Sequence, residues 1–184
     1  KLNYPWAAAR HHAFILQGMR DNAAAAKKLG LAYWPFVETP ANNGRGLVKT
    51  LTNDAVCVVT DDYPAFIVPA HNRALAAKCA VPVILVDGNS VVPLSRLGEP
   101  VAAAAHLRPR IHKLFAQAWE HRASHTPNVP TVAKSKLKPP FEPWDAQQDV
   151  LPFVASLPID QSVCPVAGVE GGSVAGTAAL DAFV

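Results

Sequence analysis

Two short β-branched runs with the same layout constrain this chain more than any other feature. Ala55-Val56-Cys57-Val58-Val59 leads into Thr60-Asp61-Asp62-Tyr63-Pro64, and Val83-Ile84-Leu85-Val86 leads into Asp87-Gly88-Asn89. Continuous apolar runs of this length, with a helical stretch between them, predict parallel strands buried on both faces, since a covering helix meets either side. The C-terminal ends of parallel strands share one rim, and in open α/β sheets ligands bind at that rim. The place of a site is therefore predicted before its chemistry.

The flanking segments fit this reading. Ala7 to Leu29 is predicted helical, with Ile15, Met19, Asn22/Ala23 and Ala26 at helical spacing and Phe14 and Leu16 widening the stripe. Lys27 and Lys28 suit the negative end of the helix dipole, and Gly30 suits a left-handed C′ position. Leu31 to Val37 is expected as a third strand, at an edge or an end because of Pro35. Gly46 to Asn53 and Val68 to Cys79 are expected helices, with strands over Ala55 to Thr60 and Val81 to Asp87. Pro109 is placed in the first turn of another helix, whose stripe is Ile111, Leu114, Phe115 and Ala118. Eight prolines from Pro127 to Pro165 predict an extended connector without persistent regular structure. Gly171-Gly172-Ser173 is read as the start of a last helix.

The expected fold class is α/β: a Rossmann-like parallel sheet with helices on both faces, followed by a proline-rich connector. The expected domains are residues 1–125 as the α/β part, 126–172 as the connector and 173–184 as the beginning of a helix. With 184 residues, half of them hydrophobic and 17% charged, the chain has globular composition rather than that of a disordered segment. No apolar stretch approaches the roughly 20 residues of a membrane span. A net charge of +3 permits a polyanionic partner without requiring one. Cys57, inside an expected strand, is read as a small core residue, and the odd, widely spaced cysteine set points to the cytoplasm. Lys1 at the start and Phe183-Val184 inside a young helix lead us to expect a piece of a longer protein, lacking its first strand.

Each candidate for chemistry has a plain structural alternative. Asp61 and Asp62 either hydrogen-bond a ligand at the rim, or cap the next helix or form an Asx turn before Pro64. Asp87, Gly88 and Asn89 carry the same two readings. Gly44-Arg45-Gly46 either holds a phosphate at a helix start or is an ordinary loop; it matches neither GxGxxG nor a P-loop. Arg108-Pro109-Arg110-Ile111-His112-Lys113 either meets phosphates or acidic groups, or forms a solvated helix face. His121 and His125 have the spacing of helical metal ligands but no third ligand nearby, and His11-His12 is equally isolated, so no metal is expected. Lys134, Lys136 and Lys138 alternate in the connector, facing either DNA or solvent.

Several motifs follow one another in a particular order. They are Tyr4-Pro5-Trp6-Ala7, His12-Ala13-Phe14-Ile15-Leu16-Gln17-Gly18-Met19, Tyr33-Trp34-Pro35-Phe36-Val37-Glu38 and Gly44-Arg45-Gly46-Leu47. Then come Val58-Val59-Thr60-Asp61-Asp62-Tyr63-Pro64, Val86-Asp87-Gly88-Asn89-Ser90-Val91-Val92-Pro93 and Arg108-Pro109-Arg110-Ile111-His112-Lys113. The series resembles the N-terminal α/β domain of deoxyribodipyrimidine photolyases, in particular their class II branch, over most of residues 4 to 122. Leu157-Pro158-Ile159-Asp160 and Gly171-Gly172-Ser173 resemble the lead-in to that family's second domain. The resemblance implies a parent enzyme that splits UV-induced cyclobutane pyrimidine dimers by light-driven electron transfer from reduced FAD. It implies FAD in a C-terminal helical domain, UV-damaged DNA as partner, and an antenna chromophore, a folate or a deazaflavin, on the α/β domain of some members. By position, an antenna would meet Asp61, Asp62, Asp87 and Asn89, with Arg108 or Lys113 at an acidic tail. The full-length protein is expected to be a monomer without a membrane partner, and this piece alone to be inactive. Two other readings stay open: a cryptochrome-like photoreceptor domain and a stand-alone nucleotide-binding α/β module.

Overall fold

The computed structural model describes residues 2, 4, 6–122 and 138–184. The chain divides into two compact units, one from the described residues of 1–45 and 129–184, the other from those of 46–128.

The first unit is built on helix α1, Ala9–Lys28. Its end matches expectation. Gly30 has φ +69°, its N–H donates to the Lys27 carbonyl at 3.2 Å, and the Leu31 N–H reaches back to the Ala26 carbonyl at 2.9 Å. This pair of bonds satisfies carbonyls that the helix itself cannot. The buried face matches the expected one only in part: Leu16 is buried and Met19 packs on the core as the stripe implies. Ala9, Ala13 and Leu16 lie in the core, whereas Phe14 and Ile15 are 52% and 58% exposed. Small residues at i and i+4 allow close approach of another chain segment, which large ones would prevent.

That segment comes from the expected connector. Helix α5, Val150–Ala155, places Val150 and Val154 against Ala9, Ala13, Leu16 and Trp144. Pro152 does not break α5, because it is the third helical residue, where the N–H has no intrahelical partner to lose. Asp149 caps the helix, accepting the Leu151 N–H at 3.2 Å. The proline-rich connector thus holds regular structure within residues 138–172, a correction to the sequence reading. The rest of the connector up to residue 137, with Lys134 and Lys136, lies outside the described residues, as does His125 before it.

Helix α6, Ser173–Phe183, begins where Gly171-Gly172 lies on α1. The Gly171 N–H donates to Gln17 Oε1 at 2.7 Å, and the Val174 N–H donates to Asp21 Oδ2 at 2.9 Å. Asp21, from another helix, therefore does the work of an N-cap. A side chain on Gly171 would collide with the Phe14 carbonyl group.

The second unit carries the sheet. Strand β1 is Val58–Asp61 and β2 is Val83–Val86, paired in parallel with Val58 opposite Val83 and Asp61 opposite Val86. The same unit holds the helices α2, Leu47–Thr52, α3, Val68–Ala76, and α4, Ala104–Glu120, with a 3-10 turn at Leu94–Arg96. The expected α/β class holds in this coarse form: helices with a small parallel sheet.

The finer expectation does not. Among the described residues the sheet has two strands, and Leu31 to Val37 pairs with neither. Pro35 has no N–H to offer a ladder; its carbonyl instead accepts the Trp144 N–H at 2.8 Å. Nor is this a Rossmann-like sheet with helices on both faces, because Val59 is 61% exposed and Ile84, Leu85 and Val86 are each nearly half exposed. Cys57 is exposed just before β1, not a core residue. Pro109 sits inside α4, in its second turn rather than its first.

Candidate functional site at the strand rim

The parallel register puts the ends of β1 and β2 side by side, and the chain after each end folds back to lock the other. The Asp62 N–H donates to the Val86 carbonyl at 2.9 Å, and Asn89 Nδ2 donates to the Asp62 carbonyl at 3.0 Å. From α3, the buried Asn72 donates through Nδ2 to the Asp61 carbonyl at 2.8 Å. Side-chain amides thereby pair the Asp61 and Asp62 carbonyls at the rim.

The two readings of the rim carboxylates now separate. Asp87 takes the turn-forming one: Oδ2 accepts the Leu94 N–H at 2.6 Å and Oδ1 accepts the Asn89 N–H at 3.1 Å. These bonds, that of Leu94 first, hold the Asp87 carboxyl below the usual carboxylate range. Asp61 and Asp62 do not cap α3, whose N-cap is Ile67 with no side-chain bond. Their carboxylates have no hydrogen-bond partner among the described residues.

Asp61 lines an open cavity of about 480 Å³ at the strand ends, with Thr60, Tyr63, His71, Asn72 and Asn89 among its walls. This is within the range of small-molecule sites. Its polar edge consists of a carboxylate, two amides, an imidazole and hydroxyls, without a Lys or Arg. Such a wall accepts hydrogen bonds from the N–H edge of a flat heterocycle and offers Tyr63 as an aromatic surface.

The other predicted site residues are spread out. Asn89 shares the cavity with Asp61, while Asp62 borders a separate one of about 270 Å³ with Pro69, Asn72 and Arg73. Asp87 borders a third, of about 520 Å³, with Asn89, Arg96, His121 and Arg122. Arg108 and Lys113 are exposed on α4 and line none of these three. The cation of that stretch with a structural role is Arg110, whose Nη1 donates to the Leu97 and Glu99 carbonyls at 2.9 and 2.6 Å. His71 and Asn72 were not singled out from sequence. The available signal was their polarity within the first two turns of a helix that follows a rim strand directly.

The weaker sequence candidates resolve into local structure. Gly46 has φ +76° and starts the six-residue α2, and Arg45 N–H bonds Asn43 Oδ1 at 2.9 Å, an ordinary turn. His11 and His12 place Nδ1 at 3.3 and 3.2 Å from the Trp6 and Ala8 carbonyls. Among the described residues no group of His, Cys, Asp and Glu side chains could hold a metal ion, and no helix is long and apolar enough to cross a membrane.

No protein-family model matches the chain, and no curated protein matches it.

Proposed function

We propose that the rim cavity binds a flat, nitrogen-rich chromophore of the folate or deazaflavin class, within an α/β domain of photolyase type. The observation that carries this is the meeting of Asp61, Asn89 and Tyr63 in one cavity at the C-terminal ends of two parallel strands. The order of motifs along residues 4 to 122 supports the same reading. A bound chromophore of this kind would supply light absorption. The chain would contribute its orientation: hydrogen bonds from the ring edge to the Asp61 carboxylate and the Asn89 amide, with Tyr63 against the ring.

FAD does not fit this cavity. Its diphosphate would face Asp61, with no Lys or Arg in the lining to meet it. No dimer-splitting step is therefore assigned to these residues. In this reading the catalytic flavin and the DNA lesion belong to another part of a longer protein, and this chain alone gives no light-dependent loss of pyrimidine dimers.

The test is titration of the purified chain with a reduced folate and with a deazaflavin, followed by ligand fluorescence and absorbance. Saturable binding of one of them, weakened about tenfold or more in both Asp61→Ala and Tyr63→Ala, is expected. Absence of binding for both ligands, or binding indifferent to the two substitutions, contradicts the proposal.

A further inference from the structure

The cavity on the other side of the Asp87–Asn89 turn has the opposite chemistry. It is about 520 Å³ in volume and lies between that turn, the 3-10 turn at Leu94–Arg96 and the C-terminal end of α4. Two guanidinium groups, Arg96 and Arg122, and the His121 ring line it. We infer that this second cavity binds the phosphoryl group of a small ligand.

Three observations carry the inference. First, both arginines are positioned, and neither forms an ion pair among the described residues. Arg96 Nη2 donates to Gln117 Oε1 at 2.8 Å, and Arg122 Nη1 donates to the Trp119 carbonyl at 2.8 Å while its guanidinium lies 4.5 Å from the centre of the Trp119 ring. A guanidinium has five N–H donors, so each keeps four after its bond to the protein. Asp87 shares the wall, but both its oxygens are held by the turn, on the Leu94 and Asn89 amides.

Second, the two guanidiniums and the His121 ring are tied to one end of α4. Gln117 holds Arg96 through its side chain, and its carbonyl lies 2.8 Å from His121 Nδ1. A carbonyl oxygen only accepts, so Nδ1 carries the proton and Nε2 is left over. Capping the end of α4 uses one N–H of Arg122 and this Nδ1, which leaves the remaining donors without a structural task. Two guanidiniums match a phosphate monoester, with its charge of about −1.5 to −2, better than a singly charged carboxylate.

Third, Gly88 borders this cavity and its backbone does not require glycine. It has no positive φ, and a Cβ there would meet nothing within 4 Å. Its missing side chain leaves open space rather than allowing close packing of the protein itself.

The experiment is a titration of the chain with inorganic phosphate and, in parallel, with acetate, followed by NMR of backbone amides and arginine Nε–H groups at constant ionic strength. Phosphate is expected to give saturable shifts at Gly88–Ser90, Arg96 and His121–Arg122, with acetate at least about tenfold weaker. Arg96→Gln and Arg122→Gln each weaken phosphate by about tenfold or more. Asp61→Ala leaves phosphate binding unchanged, so loss of the ring site and loss of this one are told apart. Equal response to acetate, shifts centred on Arg108 and Lys113, or insensitivity to both arginine substitutions would overturn the inference.

Discussion

Glycines at either end of one short segment do opposite things. Gly171 sits where any side chain would meet the Phe14 backbone, whereas Gly176, inside α6, has open space around it. Gly171→Ala is expected to destabilise by about 1–3 kcal/mol through overpacking against backbone that cannot rotate away. Gly176→Ala should stabilise by about 0.5–1 kcal/mol through reduced backbone entropy. Urea unfolding of the two variants, followed by circular dichroism, checks the opposite signs. Trp144 gives a second contrast. It is buried at 7% exposure and its Nε1 has no hydrogen-bond partner among the described residues, an arrangement that costs about 1–3 kcal/mol. Trp144→Phe deletes that donor along with some volume and is expected within about 1 kcal/mol of wild type, while Trp144→Ala loses about 3–5 kcal/mol. Asp87 supplies a pH dependence with a definite sign. Its carboxyl is held low in the folded chain by the Leu94 and Asn89 amides. Its contribution is therefore complete above the usual carboxylate range and is lost as pH falls through the lowered value. Asp160, lowered by its bonds to Ser162, has the same sign. In acid melts, Asp87→Asn should flatten the decline as pH falls from the usual carboxylate range to the lowered value; an unchanged slope there would deny the turn its role.

At the scale of elements, the ends of helices and strands were more legible than their faces. The Schellman end at Gly30, the parallel pairing of β1 with β2 and the start of α6 after Gly171-Gly172 each follow from a few adjacent residues, and all are present. The buried face of α1 was only partly legible, because hydrophobicity picks out Phe14 and Ile15. Packing against α5 selects the small Ala9 and Ala13 instead. The density of prolines over 127–165 predicts no persistent helix, yet the harm of a proline depends on its place, and Pro152 is the third residue of α5. At the rim, the positions of Asp61 and Asn89 were legible from the strand ends. The turn-forming alternative for Asp87 was legible too, through its local bond to Asn89, but the bond to Leu94, seven residues away, was not. The cap that Asp21 gives to α6 spans 153 residues, and no local pattern encodes it. Asp21→Ala is expected to cost about 1 kcal/mol and to fray α6 from its N-terminus. Faster amide exchange at Val174 to Thr177 with α1 unaffected would register it.

The whole molecule exposes much apolar surface. Both strands show side chains near or above half exposure, and so do Trp6, Val174 and Leu180 in the other unit. Two-stranded sheets are marginal alone, and uncovered strands invite pairing with other chains. The chain at micromolar concentration is therefore expected to self-associate and to bind a hydrophobic dye, read by sedimentation velocity and dye fluorescence. A single monomeric species without dye binding would show that these faces are tolerated by water. The central claim, however, concerns the rim. Its most direct test is chemical-shift mapping of the chain with a reduced folate and with a deazaflavin. The account predicts, for one of them, saturable shifts confined to Thr60–Tyr63, His71–Asn72 and Gly88–Asn89. Shifts centred elsewhere, or none with either chromophore, would contradict it.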